Sequence, residues 1–179
     1  MEATLHRSKA IAAWGAGPYA GAESEGPLIA TLARWLDWPP LWTLACVALV
    51  WLVGRIGAPL GLGEFGRGVA LALLVAGLAL MLVAVWQMGR ARTTVNPRGT
   101  PTALVTSGVF ALSRNPIYLG DALVVLAAVF WWDAPLALLV VALFVSVTSR
   151  RYIAPEEKRL FQRFGPEAEA WFAKTRRWL

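Results

Sequence analysis

The sequence predicts an all-α integral membrane protein, with four transmembrane helices, five at most, and short amphipathic helices capping one mouth of the bundle. Three observations carry this. Hydrophobic residues make up 58% of the 179 and charged residues 16%, where a soluble domain carries about 25% charged residues. The apolar residues come in blocks, and the mean hydropathy is +0.55. The basic residues gather on one side of those blocks. This composition argues against a disordered chain and against a soluble globular enzyme. With one His and one Cys, a disulfide framework, a Cys/His zinc site and an iron–sulfur centre are excluded within one chain, so no metal is expected.

Each element follows in order. Residues 1–37 are rich in Gly, Ala and Pro and read as a cytoplasmic or interfacial segment, with Leu28 to Trp38 suited to a short helix lying at the interface. Gly15, Gly17 and Pro18 interrupt the apolar stretch that a signal peptide would need. Residues 38–179 form a single membrane domain with spans at about 39–56, 68–88, 116–132 and 135–150, and a cap over 151–179. A spanning helix needs about 20 apolar residues. The second block meets this unaided, and the first meets it with Trp38 to Pro40 at the interface. The third and fourth are short, but together too long for one span, and Asp133-Ala134-Pro135 between them reads as a hairpin turn.

Charge sets the orientation. Twelve of the 17 basic residues fall in two segments, Arg90 to Arg114 and Arg150 to Arg177, while the Asp133 turn has none. The positive-inside rule places both segments, and with an even number of spans both termini, in the cytoplasm. The net charge of +6 is thus spent on membrane orientation, and no nucleic-acid partner is expected.

The two basic segments also carry the information. Residues 89–116 form a long polar connection, where bundle connections usually take about 2–8 residues and long ones tend to be functional. After Arg150-Arg151, the run Pro155-Glu156-Glu157 opens two amphipathic helices split at Gly165-Pro166.

Leu104-Val105-Thr106-x-Gly108, then Arg114-Asn115-Pro116-x-Tyr118-Leu119-Gly120, then Glu156-Glu157-x-x-Leu160 and Phe164-Gly165 together resemble the isoprenylcysteine carboxyl methyltransferase family, whose wider group includes membrane phospholipid N-methyltransferases. The resemblance covers about residues 90–179. It implies an integral-membrane methyltransferase that binds S-adenosylmethionine at the cytoplasmic mouth and methylates a lipophilic acceptor at a carboxylate, thiol or amine. It assigns Leu104, Val105, Gly108, Arg114, Asn115, Pro116, Tyr118, Glu156 and Glu157 to the cofactor, with Arg114 and Glu156 as the catalytic candidates. Two departures stand out: the family's His is Asn115, as expected of a bacterial inner-membrane member, and its C-terminal Tyr pair is replaced by Ala168 and Trp171.

Each motif also has a structural reading. Asn115 suits a helix N-cap and Pro116 the first helical position. Glu156 and Glu157 suit a first helical turn. Tyr118 suits the interfacial aromatic belt, as do most of the ten Trp residues. Asp121, three residues beyond Tyr118, is an ionisable group inside a span and a functional candidate by default. Against these, Arg114 matches the carboxylate of a methionine moiety, and a carboxylate at 156 or 157 matches an ammonium or a ribose. Two other classes fit the same outline: a nicotinamide-dependent membrane reductase using the basic tail for phosphates, and a non-catalytic adaptor whose tail binds anionic lipid.

Overall fold

The structure, a computed structural model, describes residues 38–96 and 99–179. The expectations for residues 1–37, the interfacial helix among them, lie outside the described residues. Residues 39–179 form one compact unit.

Among the described residues every regular element is helical. Helix α1 is Pro39–Ile56, α2 Gly63–Arg90, the one-turn α3 Val109–Leu112, and α4 Pro116–Trp131. A 3-10 turn, Pro135–Ala137, leads into α5, Leu138–Thr148, which runs through a π turn, Ser149–Ile153, into α6, Ala154–Phe164; α7, Pro166–Lys174, follows. Three stretches are long and apolar enough to cross a membrane, namely α1, α2 and Pro135–Phe164, and α4 is a shorter apolar helix.

The sequence predicts a break near residue 151, with Pro155 opening a new helix. The structure instead carries one helical rod from Pro135 to Phe164. Proline lacks the N–H that an α-helix would use and crowds the preceding turn. The π turn immediately before Pro155 shifts the hydrogen-bond register there, so the rod continues without a break.

The core of the bundle is the antiparallel pair α2–α4. The buried residues of α2 are Gly66, Ala70, Gly77 and Ala84, all small and spaced four or seven apart. That stripe lets two backbones approach, which is how apolar helices associate where lipid offers no hydrophobic drive. A Cβ at Gly77 would lie 2.7 Å from the Gly120 carbonyl oxygen, and Gly120 in turn faces the Gly77 carbonyl. Nine residues of α4 are buried, so this helix is sheathed by protein rather than by solvent or lipid. Val50, Val125, Ala137 and Phe144 tie α1, α4 and α5 into the main apolar cluster. The outer faces carry Leu71, Leu78, Leu82 and Trp86 of α2 and Leu139 and Leu143 of α5, all exposed, as a lipid-facing surface requires.

One end of the bundle holds the α1–α2 connection and the α4–α5 turn. Asp133 sits in that turn at φ +46°, and its carboxylate accepts from the backbone N–H groups of Leu60 (3.1 Å), Gly61 (2.7 Å) and Leu62 (3.0 Å). Desolvation pushes its pKa up, but these three donors together outweigh it and hold the carboxyl below its ordinary value. The opposite end gathers everything else.

Candidate functional site

The far end of α2 begins the site. Arg92 adopts a left-handed backbone, φ +53°, just past the helix. Thr102 then folds back: its hydroxyl donates to the Arg92 carbonyl at 2.7 Å, and its N–H donates to the Thr93 hydroxyl at 3.1 Å. This pinning lays Ala103, Leu104 and Val105 beside the last turn of α2. Gly108 closes the connection at φ +61°, and any Cβ there would collide with the Gln87 side-chain amide. The Val109 N–H beyond it donates to Gln87 Oε1 at 3.3 Å.

Residues 113–115 form the next turn, and the segment after α7 binds it. The Arg114 N–H donates to the Arg176 carbonyl (3.0 Å). The Ser113 hydroxyl and the Asn115 Nδ2 both donate to the Arg177 carbonyl, at 3.2 and 3.0 Å. Asn115 therefore does not act as the side-chain N-cap that its position suggests; its amide is committed to the tail. Beyond it, Trp178 Nε1 donates to the Ser149 hydroxyl at 3.1 Å, locking the tail to the π turn.

These pieces surround a cleft of about 620 Å³, its open mouth included. Helix α6 brings Glu156, Glu157, Arg159 and Leu160 to one wall, α7 brings Trp171 and Phe172 to another, and Leu104, Val105 and Phe110 complete the apolar lining. Trp171 donates from Nε1 to the Phe110 carbonyl at 3.1 Å, which fixes α7 against α3. The Arg114 guanidinium lies 4.8 Å from the centre of the Phe172 ring, a cation–π distance.

The two adjacent glutamates have different environments. Glu157 is paired twice: Arg114 approaches its Oε1 at 3.3 Å, and Arg177 holds both of its oxygens, through Nε to Oε1 at 3.1 Å and through the terminal nitrogen to Oε2. Glu156, also a cleft residue, shares a hydrogen bond with the Tyr118 hydroxyl. Tyr118 stacks on Tyr152, ring centres 6.2 Å apart. Among the described residues, two buried side-chain polar atoms lack a hydrogen-bond partner: Arg114 Nε and Glu156 Oε2. Both belong to residues that line this cleft. Burial lowers the Arg114 pKa from its ordinary value, the Glu157 charge raises it and Arg177 lowers it. Arg177 moves the other way, raised by its hydrogen bonds to Glu157.

The structure brings together Leu104, Val105, Arg114, Asn115, Glu156 and Glu157 at the cleft wall. It does not place Gly108, Pro116 or Tyr118 there. Gly108 makes the turn against Gln87, Pro116 starts α4 in a fully buried position, and Tyr118 supports Glu156 from beneath. Asp121 lies deeper still, hydrogen-bonded to Thr43 of α1 and away from the cleft. Sequence reasoning missed Arg177 as a partner of Glu157, and Phe110 and Phe172 as lining. A forked contact across 20 residues leaves no periodic signal, although the Arg and aromatic content of residues 171–178 was visible.

The cleft offers two guanidinium groups and two carboxylates, with one unpartnered buried atom of each sign. An amino-acid zwitterion fits such a set, since its carboxylate needs a donor and its ammonium an acceptor. A dinucleotide diphosphate would need a net cationic wall instead. The residues thus fit the methionine part of S-adenosylmethionine, and the apolar and aromatic lining suits an adenine. A family model described as phospholipid methyltransferase matches residues 66–167. No curated protein and no solved structure matches the chain.

Proposed function

Since the chain belongs to the phospholipid methyltransferase family, a family of enzymes for which S-adenosylmethionine-dependent methylation of a lipid acceptor is implied, we propose that the cleft is its methyl-transfer site and that the acceptor is the amine of a phospholipid headgroup. The observation that supports this most is the pair of unpartnered buried atoms, Arg114 Nε and Glu156 Oε2, of opposite charge on one cleft.

When bound, S-adenosylmethionine supplies a methyl group already activated by a sulfonium. The chain's own residues position and shield. Arg114 holds the methionine carboxylate, and Phe172 beneath its guanidinium limits where that fork can point. Glu156, a cleft residue whose Oε2 is buried without a partner, is the group we assign to positive charge, either the methionine ammonium or the approaching amine. A phospholipid amine is an ammonium in water and must lose a proton before its lone pair can attack the methyl carbon. We assign that proton to Glu156, whose carboxyl group shares a hydrogen bond with the Tyr118 hydroxyl. Leu104, Val105, Leu160 and Trp171 exclude water, and the remaining acceleration comes from holding nucleophile and methyl group in line. Glu157, with both oxygens held by Arg177, leaves Arg114 to the ligand.

The proposed topology is four spans with the cleft at the cytoplasmic face. Helix α4 has 16 residues, about 24 Å of helix, short of a bilayer core of about 30 Å. Sheathed by α1, α2 and α5, it need not match the lipid thickness on its own. The basic segments lie on the cleft side and Asp133 on the other, as the positive-inside rule requires. Reporter fusions at residue 133 and after residue 179 should land on opposite sides, and the same side for both would remove this topology. Labelled methyl transfer into extracted lipids tests the activity. Label should appear on the headgroup nitrogen of an amino-phospholipid; transfer only to small polar thiols or carboxylates would refute the lipid-amine reading.

A further inference from the structure

We propose that Arg177 is a positioning residue for the cleft: by taking both oxygens of Glu157, it keeps the Arg114 guanidinium turned to the ligand. This rests on the reading of the cleft as the S-adenosylmethionine site, and Arg177 lies outside the residues 66–167 that the family model spans.

The geometry is a competition for one carboxylate. An arginine and a carboxylate left to themselves favour a forked, two-point pair. Arg114 and Glu157 are both well shielded, with side-chain exposures of 16% and 13%, so their pairing is little weakened by water. Yet Arg114 approaches Glu157 no nearer than 3.3 Å, farther than either contact Arg177 makes to the same carboxylate, and its Nε is buried without a partner. The reason is that Arg177 already forks onto the same carboxylate through Nε and a terminal nitrogen. The backbone of the same tail fixes the other end of the lever. The carbonyls of Arg176 and Arg177 accept from the Arg114 N–H, the Ser113 hydroxyl and the Asn115 amide. Arg114 is thus held by its backbone from one side and by a pre-occupied carboxylate from the other. With Arg177 gone, Glu157 is free to fork onto Arg114 and turn its donors away from the cleft.

The test is the substitution Arg177→Gln, which keeps the side chain's length and polarity, beside Arg177→Lys and the double variant Arg177→Gln with Glu157→Gln. Steady-state methyl transfer and calorimetric titration of S-adenosylmethionine are read on each, in detergent, with thermal unfolding as the check on folding. Arg177→Gln should raise KM and Kd for S-adenosylmethionine about tenfold, the scale of one charge-assisted contact, with kcat changed less than about threefold. Arg177→Lys should recover part of the loss, because it restores charge but not the fork. The double variant should be no worse than Arg177→Gln, because the competing carboxylate is then gone. An unchanged KM and Kd in Arg177→Gln would overturn the proposal, as would strictly additive losses in the double variant. A fall in unfolding temperature with KM intact would make Arg177 a structural brace and overturn it too. If the unmodified protein does not bind S-adenosylmethionine, the reading of the cleft fails, whatever Arg177 does.

Discussion

The two ends of the bundle solve the same problem, closing helix connections, by opposite means. At one end a single partly exposed carboxylate, Asp133, gathers three backbone N–H groups, and the charges nearby are exposed, as in the 2.8 Å pair Arg67–Glu64. At the other, arginines and glutamates are drawn inward, two polar atoms are buried without partners, and the tail after α7 is needed to hold the turn at residues 113–115. Burying charge costs several kcal/mol per ion unless it is paired, and leaving a buried polar atom unmatched costs about 1–3 kcal/mol. Folding alone has no use for that expense. The difference between the ends therefore separates what the bundle needs to close from what a ligand needs to bind.

Between the ends lies the α2–α4 crossing, common to both, and the largest effect is expected there. In Gly77→Val, the first added carbon would already lie 2.7 Å from the Gly120 carbonyl and 3.1 Å from the Leu123 Cβ, where backbone cannot yield cheaply. Overpacking typically costs about 1–3 kcal/mol or more. The purified variant should unfold at clearly lower temperature and lose activity, the two ends failing together. Retained stability would mean that the helices are not in close contact at this level.

Next in size is the cleft. Arg114→Ala should weaken S-adenosylmethionine binding about ten- to a hundredfold, from about 1.5–3 kcal/mol for a charged contact. Calorimetry measures it, and a preserved unfolding temperature would place the loss at the functional end alone. A smaller loss is expected of Trp171→Phe. It leaves the Phe110 carbonyl without its 3.1 Å donor and should cost about 1–2 kcal/mol of stability, read by thermal unfolding, with a rise in KM as α7 loosens.

Much of this was legible in the sequence. Apolar blocks and the Asp133 turn gave the helices, because hydropathy and proline act locally. The motifs around Arg114 and Glu156 come together on one cleft at one end of the bundle. The rod through Pro155 was not legible, since a π turn changes the register without changing composition. Nor was the contrast between Glu156 and Glu157, adjacent and chemically identical in sequence. Only the rotation of α6 decides that one faces Arg177 and the other Tyr118. Asn115 misled for a related reason: its helix-capping preference is local, while the Arg177 carbonyl that captures its amide is 62 residues away.

The smallest effect is expected at the other end. Asp133→Asn removes the anion that gathers Leu60, Gly61 and Leu62. The carboxyl is held below its ordinary value in the folded chain, so its contribution is present above the unfolded pKa, about 3.9, and fades as pH falls through the lowered value. Unfolding temperatures of the parent and the variant should differ slightly near neutrality and converge in acid, with methyl transfer unchanged at pH 7. A large loss of activity would mean that the two ends are coupled.

The most direct test of the central claim, that the charged end is built around a ligand, is calorimetric titration of S-adenosylmethionine into the detergent-solubilised protein and its Glu156→Gln and Asp133→Asn variants. Saturable binding is expected for the parent and for Asp133→Asn, with affinity reduced about ten- to a hundredfold in Glu156→Gln. Equal affinity in all three, or no binding by the parent, would contradict it.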